Sequence, residues 1–308
     1  MSSLENSSLY ISVDELDYQS CIDVIEHTET IDEAKANIRI HHLKFDGNGR
    51  PMSKALAELL YQYIIDYCIA SKNRPETLTN RQSAQLTKEA RKLFRHPEIS
   101  EDDPDKTGEA GETLLFFLTE AILRAPQIVA KMELKTNRRL ESNGSDGIHM
   151  RWCEQDKLVD FYFGESKLYS SIDGAITSAL KSINEFHDKE IYKHEFTMIT
   201  KHFKYADENT KSAVIDLIKL GEPGPGARIN HACLIGYNWK EYQNIHKIKQ
   251  SDLSSQFRQM LLTESKNISK ALKSRFSDFE KKHLNFEVFF LPFPSVQQFR
   301  DEFNAALD

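Results

Sequence analysis

The chain has 308 residues, 40% of them hydrophobic and 28% charged, with a formal net charge of −7. That composition supports a buried core and excludes wholesale disorder, and its acidic balance excludes a protein that coats nucleic acid by overall charge. No run approaches the roughly 18 apolar residues of a membrane span, and the first ten residues lack a basic-then-apolar leader. Cys21, Cys68, Cys153 and Cys233 are too dispersed for zinc-ligand spacing, so a cytoplasmic protein with reduced thiols is expected.

In chain order, alternation over 38–45 predicts a strand, and Asp46-Gly47-Asn48-Gly49 supplies a turn after it. Leu56, Leu59, Leu60, Tyr63, Ile64 and Tyr67 recur at helical spacing, and 84–94 predicts a second helix. The acidic stretch 96–111 is the expected boundary between a mostly helical N-terminal region, 1–104, and a second domain, 105–308. Beyond it the pattern predicts a helix at 111–123, strands at 127–134, 144–153 and 158–167, and a helix at 171–186. A helical pair at 190–220, a strand at 229–237, a long helix at 253–282, a strand at 286–291 and a closing helix follow. The expected fold is α/β, a mixed sheet covered by helices on both faces. Gly221-Glu222-Pro223-Gly224-Pro225-Gly226 lacks the Lys-Ser/Thr of a phosphate loop and reads as a turn.

The chemistry concentrates at the second and third of those strands. A hairpin with Gln155-Asp156 at its tip makes paired positions sum to 311. Ile148 then meets Phe163, Met150 meets Phe161 and Trp152 meets Val159 on one face, while Arg151 meets Asp160 and His149 meets Tyr162 on the other. A one-residue slip would set apolar rows against polar ones, so pattern and register agree. The same register places Asp146 opposite Glu165, two carboxylates with Cβ atoms roughly 5 Å apart, and Lys167 points the same way. Opposed like charges need a shared proton, a lysine or a divalent cation. Oxygen-only ligands beside a lysine favour Mg²⁺ or Mn²⁺, the makings of a phosphodiesterase site. A rim salt bridge from Lys167 fits the spacing equally.

Glu112 at a helix start, Asp146 on a strand, Glu165-Ser166-Lys167 on the next strand and the helix after it resemble the PD-(D/E)xK nuclease superfamily. More closely, GETLLFFLTEAIL, GSDGIH and GESK resemble the HamA family of the Hachiman anti-phage defence system. The resemblance implies a restriction-endonuclease-like core, Mg²⁺-dependent DNA cleavage (Mn²⁺ substituting), and a complex with a HamB-like superfamily 2 helicase. It implies Asp146 and Glu165 as metal ligands, Lys167 as the catalytic lysine and Glu112 as an accessory acid, with Glu109 as its alternate. Ser145 stands where the superfamily name would put a proline.

Lys131, Lys135, Arg138 and Arg139 precede the Asp146 strand and are the expected nucleic-acid contacts. A second basic group, Lys266, Lys270, Lys273, Arg275, Lys281 and Lys282, lines the long helix. Two other readings remain at this stage: a catalytically silent adaptor on the same fold, and a metal-dependent RNA phosphodiesterase.

Overall fold

A computed structural model describes residues 9–25, 29–31, 35–75, 77–94, 108–134, 144–205, 208–219 and 221–308. Numbered in chain order, the strands are β1 (Ile22–Val24), β2 (Glu29–Ile31), β3 (Ala36–Leu43), β4 (Gln127–Val129), β5 (Ile148–Cys153), β6 (Leu158–Tyr169), β7 (Ile218–Lys219), β8 (Glu222–Pro223), β9 (Ala227–Asn238) and β10 (Asn285–Phe293). The helices are α1 (Glu15–Cys21), α2 (Ser53–Gln62), α3 (Ile64–Cys68), α4 (Asn80–Phe94), α5 (Glu109–Leu123), α6 (Lys131–Leu134), α7 (Ile172–Asp188), α8 (Ile191–His202), α9 (Glu208–Asp216), α10 (Leu253–Ser277) and α11 (Val296–Leu307).

The large sheet runs β1-β3-β10-β9-β6-β5-β4, with β2 pairing on β3 beside β1, and β7 and β8 form a separate ribbon. β3, β10, β9 and β6 are parallel to one another, and the pairs at both ends are antiparallel. β10 is buried along almost its whole length and β9 from Asn230 to Tyr237, as parallel strands enclosed by helices on both faces must be. On one face Leu234, Phe289 and Leu291 pack with Leu56 of α2, Leu114 of α5 and Phe299 of α11. On the other, Ile235, Val288 and Phe290 pack with Ile176 of α7 and Leu261 of α10. Toward β5, Phe161 and Phe163 meet Phe196 and Ile199 of α8. No helix among the described residues is long and apolar enough to cross a membrane.

The hairpin register is the expected one throughout, from Ile148 opposite Phe163 to Cys153 opposite Leu158. Its tip is longer than expected. Residues 154–157 form the turn, closed by Lys157 N–H donating to the Cys153 carbonyl at 2.9 Å, with Lys157 itself left-handed (φ 55°). Both tips preserve the same sum of paired positions, which is why the register survives.

The expected strand over 127–134 is a three-residue strand followed by the short helix α6. Only Gln127 and Val129 pair with β5, across an irregular register, because β5 begins at Ile148 and offers no partner farther along. Residues 131–134 (KMEL), strong helix formers, close a helical turn instead. The expected helix around 56–67 is broken at Tyr63 into α2 and α3, and α10 stops at Ser277 rather than at 282.

The region 1–104 contributes strands as well as helices. β3 lies between β1 and β10, and Asn37 Nδ2 donates to Glu287 Oε1 at 3.0 Å across 250 residues of sequence. α2 sits against α11, where Ser53 Oγ donates to Glu302 Oε2 at 2.5 Å. One sheet therefore runs through both stretches, while residues 95–107 of the expected boundary lie outside the described residues.

Candidate functional site

Past Ile148 the hairpin ladder changes character. Gly164 N–H donates to the Gly147 carbonyl at 2.9 Å, and the Gly164 carbonyl accepts from Asp146 N–H at 2.8 Å. Two residues of one strand thus face a single residue of the other, the arrangement of a β-bulge. Asp146 is turned out of the straight cross-strand position expected of it. Its Oδ2 accepts from Ser166 N–H at 2.6 Å and Ser166 Oγ–H at 2.7 Å instead.

The bulge depends on a glycine. A Cβ on Gly164 would lie 2.9 Å from Leu115 Cδ2 and 3.2 Å from the backbone nitrogen of Gly147. Gly164→Ala is expected to cost about 1–3 kcal/mol by overpacking, read from the urea midpoint, and to disturb the Asp146 backbone.

Three carboxylates approach one another at this rim. Glu165 on β6 is buried (9% exposed), and Lys167 Nζ lies 2.5 Å from its Oε1. Glu112 stands in the first turn of α5, where the helix N-terminus favours an anion, and accepts from Tyr67 OH at 3.0 Å. Burial, Glu165 and Glu112 together push the Asp146 carboxyl up to about 7, against the two Ser166 hydrogen bonds. Burial raises Glu165 as well, opposed by Lys167. Lys167 is pressed down by its own burial, but Glu165 and Asp146 outweigh that and hold its proton more tightly than usual. The cluster carries more carboxylates than the one ammonium balances, in a place where water does little screening.

Asp146, ahead of β5, and Glu165 and Lys167 of β6 open on a cavity of about 200 Å³, lined also by Ser182 and Glu185 from α7 and His231 from β9. The oxygen-only donor set with excess negative charge suits a hard divalent cation. Among the described residues, however, no three His, Cys, Asp or Glu side chains are already gathered as a metal site. Each carboxylate is turned to its own donor: Asp146 to Ser166, Glu165 to Lys167, Glu112 to Tyr67.

The structure brings Asp146, Glu165, Lys167 and Glu112 together. Glu112, in the first turn of α5, has a charge that reaches both Asp146 and Glu165. Lys131 does not stand in solvent as an expected phosphate contact would. Its Nζ lies 2.8 Å from Glu195 Oε1 and also donates to the Ser145 carbonyl. Lys135, Arg138 and Arg139 lie outside the described residues.

Sequence reasoning missed Tyr67, Glu195 and the part Ser166 takes in holding Asp146. Glu195 alone left a trace: it sits at helical spacing with Ile191, Tyr192, Met198 and Ile199, an acid on an otherwise apolar face. Nothing in local spacing connects Tyr67 with Glu112, since tertiary packing alone makes them neighbours. His149 lies opposite Tyr162 as expected, and its Nδ1–H donates to the Ala125 carbonyl at 2.9 Å, while His187 pairs with His231 (Nε2 to Nε2, 2.8 Å).

Compared with known proteins, the HamA family model matches residues 19–307, nearly the whole chain. Among curated proteins none matches.

Proposed function

The chain belongs to the HamA family of anti-phage defence proteins, and on that premise we propose that it is a Mg²⁺-dependent DNA endonuclease or nickase, the effector subunit of a complex with a superfamily 2 helicase. The observation that supports this reading is the close approach of three carboxylates, buried Glu165 and partly buried Asp146 and Glu112, beside a protonated Lys167, with Asp146, Glu165 and Lys167 lining a cavity. Nothing in partner binding alone calls for so much uncompensated charge in one place, and strain of this kind gathers at functional sites.

Asp146 and Glu165 are the residues that would hold the cation, which would neutralise a phosphodiester and acidify water beside it. The chain's own groups account for the rest. Lys167 keeps its proton, so it acts in the resting site as a hydrogen-bond donor and positive charge that orients an attacking water and steadies the phosphoryl oxygens. Glu165 fixes the ammonium by the 2.5 Å contact, and Ser166 fixes the Asp146 carboxylate. Glu112, oriented by Tyr67, adds negative potential felt by both Asp146 and Glu165.

Plasmid cleavage with Mg²⁺, Mn²⁺ or EDTA, comparing wild type with Asp146→Ala and Glu165→Ala, tests the reading. Metal-dependent nicking or linearisation that both substitutions abolish is the expected result. Cutting that survives both would remove the activity from this site. An RNA substrate in parallel distinguishes a ribonuclease, and wild type that cuts neither alone nor with its helicase would mark an adaptor.

A further inference from the structure

The two residues ahead of Asp146 are gripped from both sides. Ser145 N–H donates to Glu195 Oε1 at 2.9 Å, and the Ser145 carbonyl accepts from Lys131 Nζ. Lys131 and Glu195 are themselves an ion pair, 2.8 Å apart, so one pair holds both backbone polar groups of a single residue. The grip is close. A Cβ on Gly144 would fall 1.9 Å from Glu195 Oε1 and 2.7 Å from Lys131 Nζ, so a larger residue at 144 would displace the pair. Glu195 is 1% exposed and its second oxygen has no hydrogen-bond partner among the described residues, an expensive arrangement for a helix whose other inward residues are apolar.

From this we infer that Glu195 and Lys131 are positioning residues for Asp146, resting on the metal-dependent reading of the site. β5 begins only at Ile148, so residues 144–147 lack a regular ladder to hold them. The Ser166 hydrogen bonds fix the Asp146 carboxylate at one end, and the ion pair fixes the backbone that delivers it at the other. Lys131 is thereby a structural cation rather than a phosphate contact. Outer groups that orient a metal ligand are commonly worth about 10–100-fold in metal affinity.

Binding of Mn²⁺ alone to the purified full chain, followed by calorimetry or electron paramagnetic resonance, provides the test. Glu195→Ala is expected to weaken Mn²⁺ binding about 10–100-fold. Glu195→Gln, which keeps an oxygen for Ser145 N–H, is expected to recover most of that loss. A Glu195→Gln protein as weak as Glu195→Ala would mean that the acid acts only through its charge, and would overturn positioning. Unchanged affinity in Glu195→Ala, with affinity lost in Asp146→Ala, would overturn it also while leaving the site reading intact. Wild type whose Mn²⁺ binding is indifferent to Asp146→Ala would sink the site reading itself, and this inference with it. If Glu195→Ala does not fold, the charge-free pair Lys131→Met/Glu195→Gln replaces it. That protein keeps the Ser145 N–H acceptor but loses the carbonyl tether, and is expected to bind Mn²⁺ several-fold more weakly than wild type; equal binding would overturn the role of Lys131.

Discussion

Replacing Asp146 with asparagine is expected to lower DNA cleavage by about a thousandfold and, in the same protein, to raise the stability of the metal-free fold. The first effect follows from removing the charge that would hold a cation, worth several kcal/mol at about 1.36 kcal/mol per decade of rate. The second follows from the site's electrostatics. An aspartate ordinarily ionises near 3.8, and here burial, Glu165 and Glu112 lift Asp146 to about 7. Between those values the unfolded chain has released a proton that the folded chain retains. Wild-type stability from this group is therefore full below about pH 4, declines as pH rises, and is lost above about 7. Asparagine has no proton to release, and its side-chain oxygen can still accept from Ser166. The gap between variant and wild type should accordingly be small at pH 4, open through the acidic range and level off above neutrality at about 4 kcal/mol, the full difference between 3.8 and about 7. Thermal melts of both proteins in EDTA from pH 4 to 8 measure it. A gap that is constant with pH, or reversed in sign, would show that Asp146 is not held as a strained charge.

Glu120→Ala should be among the most damaging substitutions in the molecule, at about 3–5 kcal/mol. Glu120 is fully buried within α5. Its Oε2 accepts from Ser12 N–H at 2.7 Å and Val13 N–H at 3.3 Å, and its Oε1 accepts from Gln127 N–H at 2.9 Å. Lys204, 1% exposed, donates to Gln127 Oε1 at 3.1 Å and to the Asp66 carbonyl at 2.5 Å, and lies 5.6 Å over the Phe116 ring. Burial drives Lys204 down to about 8, and Glu120 is the first of the groups that pull it back up. Alanine would leave two buried donors and a partly buried one unpaired and remove the principal counter-charge of a buried ammonium, the combination that makes broken buried networks expensive. Urea unfolding measures the loss, with Glu120→Gln expected to retain part of it. A loss under about 1 kcal/mol would mean that water or repacking replaces the carboxylate without difficulty.

Much of the sheet and half of the site geometry could be read from residues alone, for identifiable reasons. The hairpin register was legible because Ile148, Met150, Phe161 and Phe163 share one face, while Arg151 and Asp160 make an opposite-charge pair on the other. The approach of Asp146 to Glu165 followed from that register. The bulge at Gly147 and Gly164 did not, because it depends on how Leu115 of α5 fits over Gly164. The strand-like run 127–134 misled because alternation is a local signal, whereas strand length is set by whether a partner exists. The N-terminal strands β1 and β2 were missed since each has three residues, and most of their stabilisation comes from pairing with β3. Lys131 looked like a surface cation because charge in sequence carries no record of a buried acid 64 residues away.

The place of β3 beside β10 also sets the order in which the protein comes into being. Asn37 and Glu287 are 250 residues apart, so at roughly 5–20 residues per second a ribosome needs about 12–50 seconds to make the strand that completes β3's pairing. For that interval the β3 edge that later receives β10 is unsatisfied, a template for pairing with other nascent chains. The same delay falls on the rim. β6 pairs with β9, and β9 with β10, so the platform carrying Glu165 and Lys167 closes only once nearly the whole chain has been synthesised. Fragments released early by a stalled ribosome would thus be prone to aggregation yet incapable of chemistry, a safeguard provided by the strand order itself.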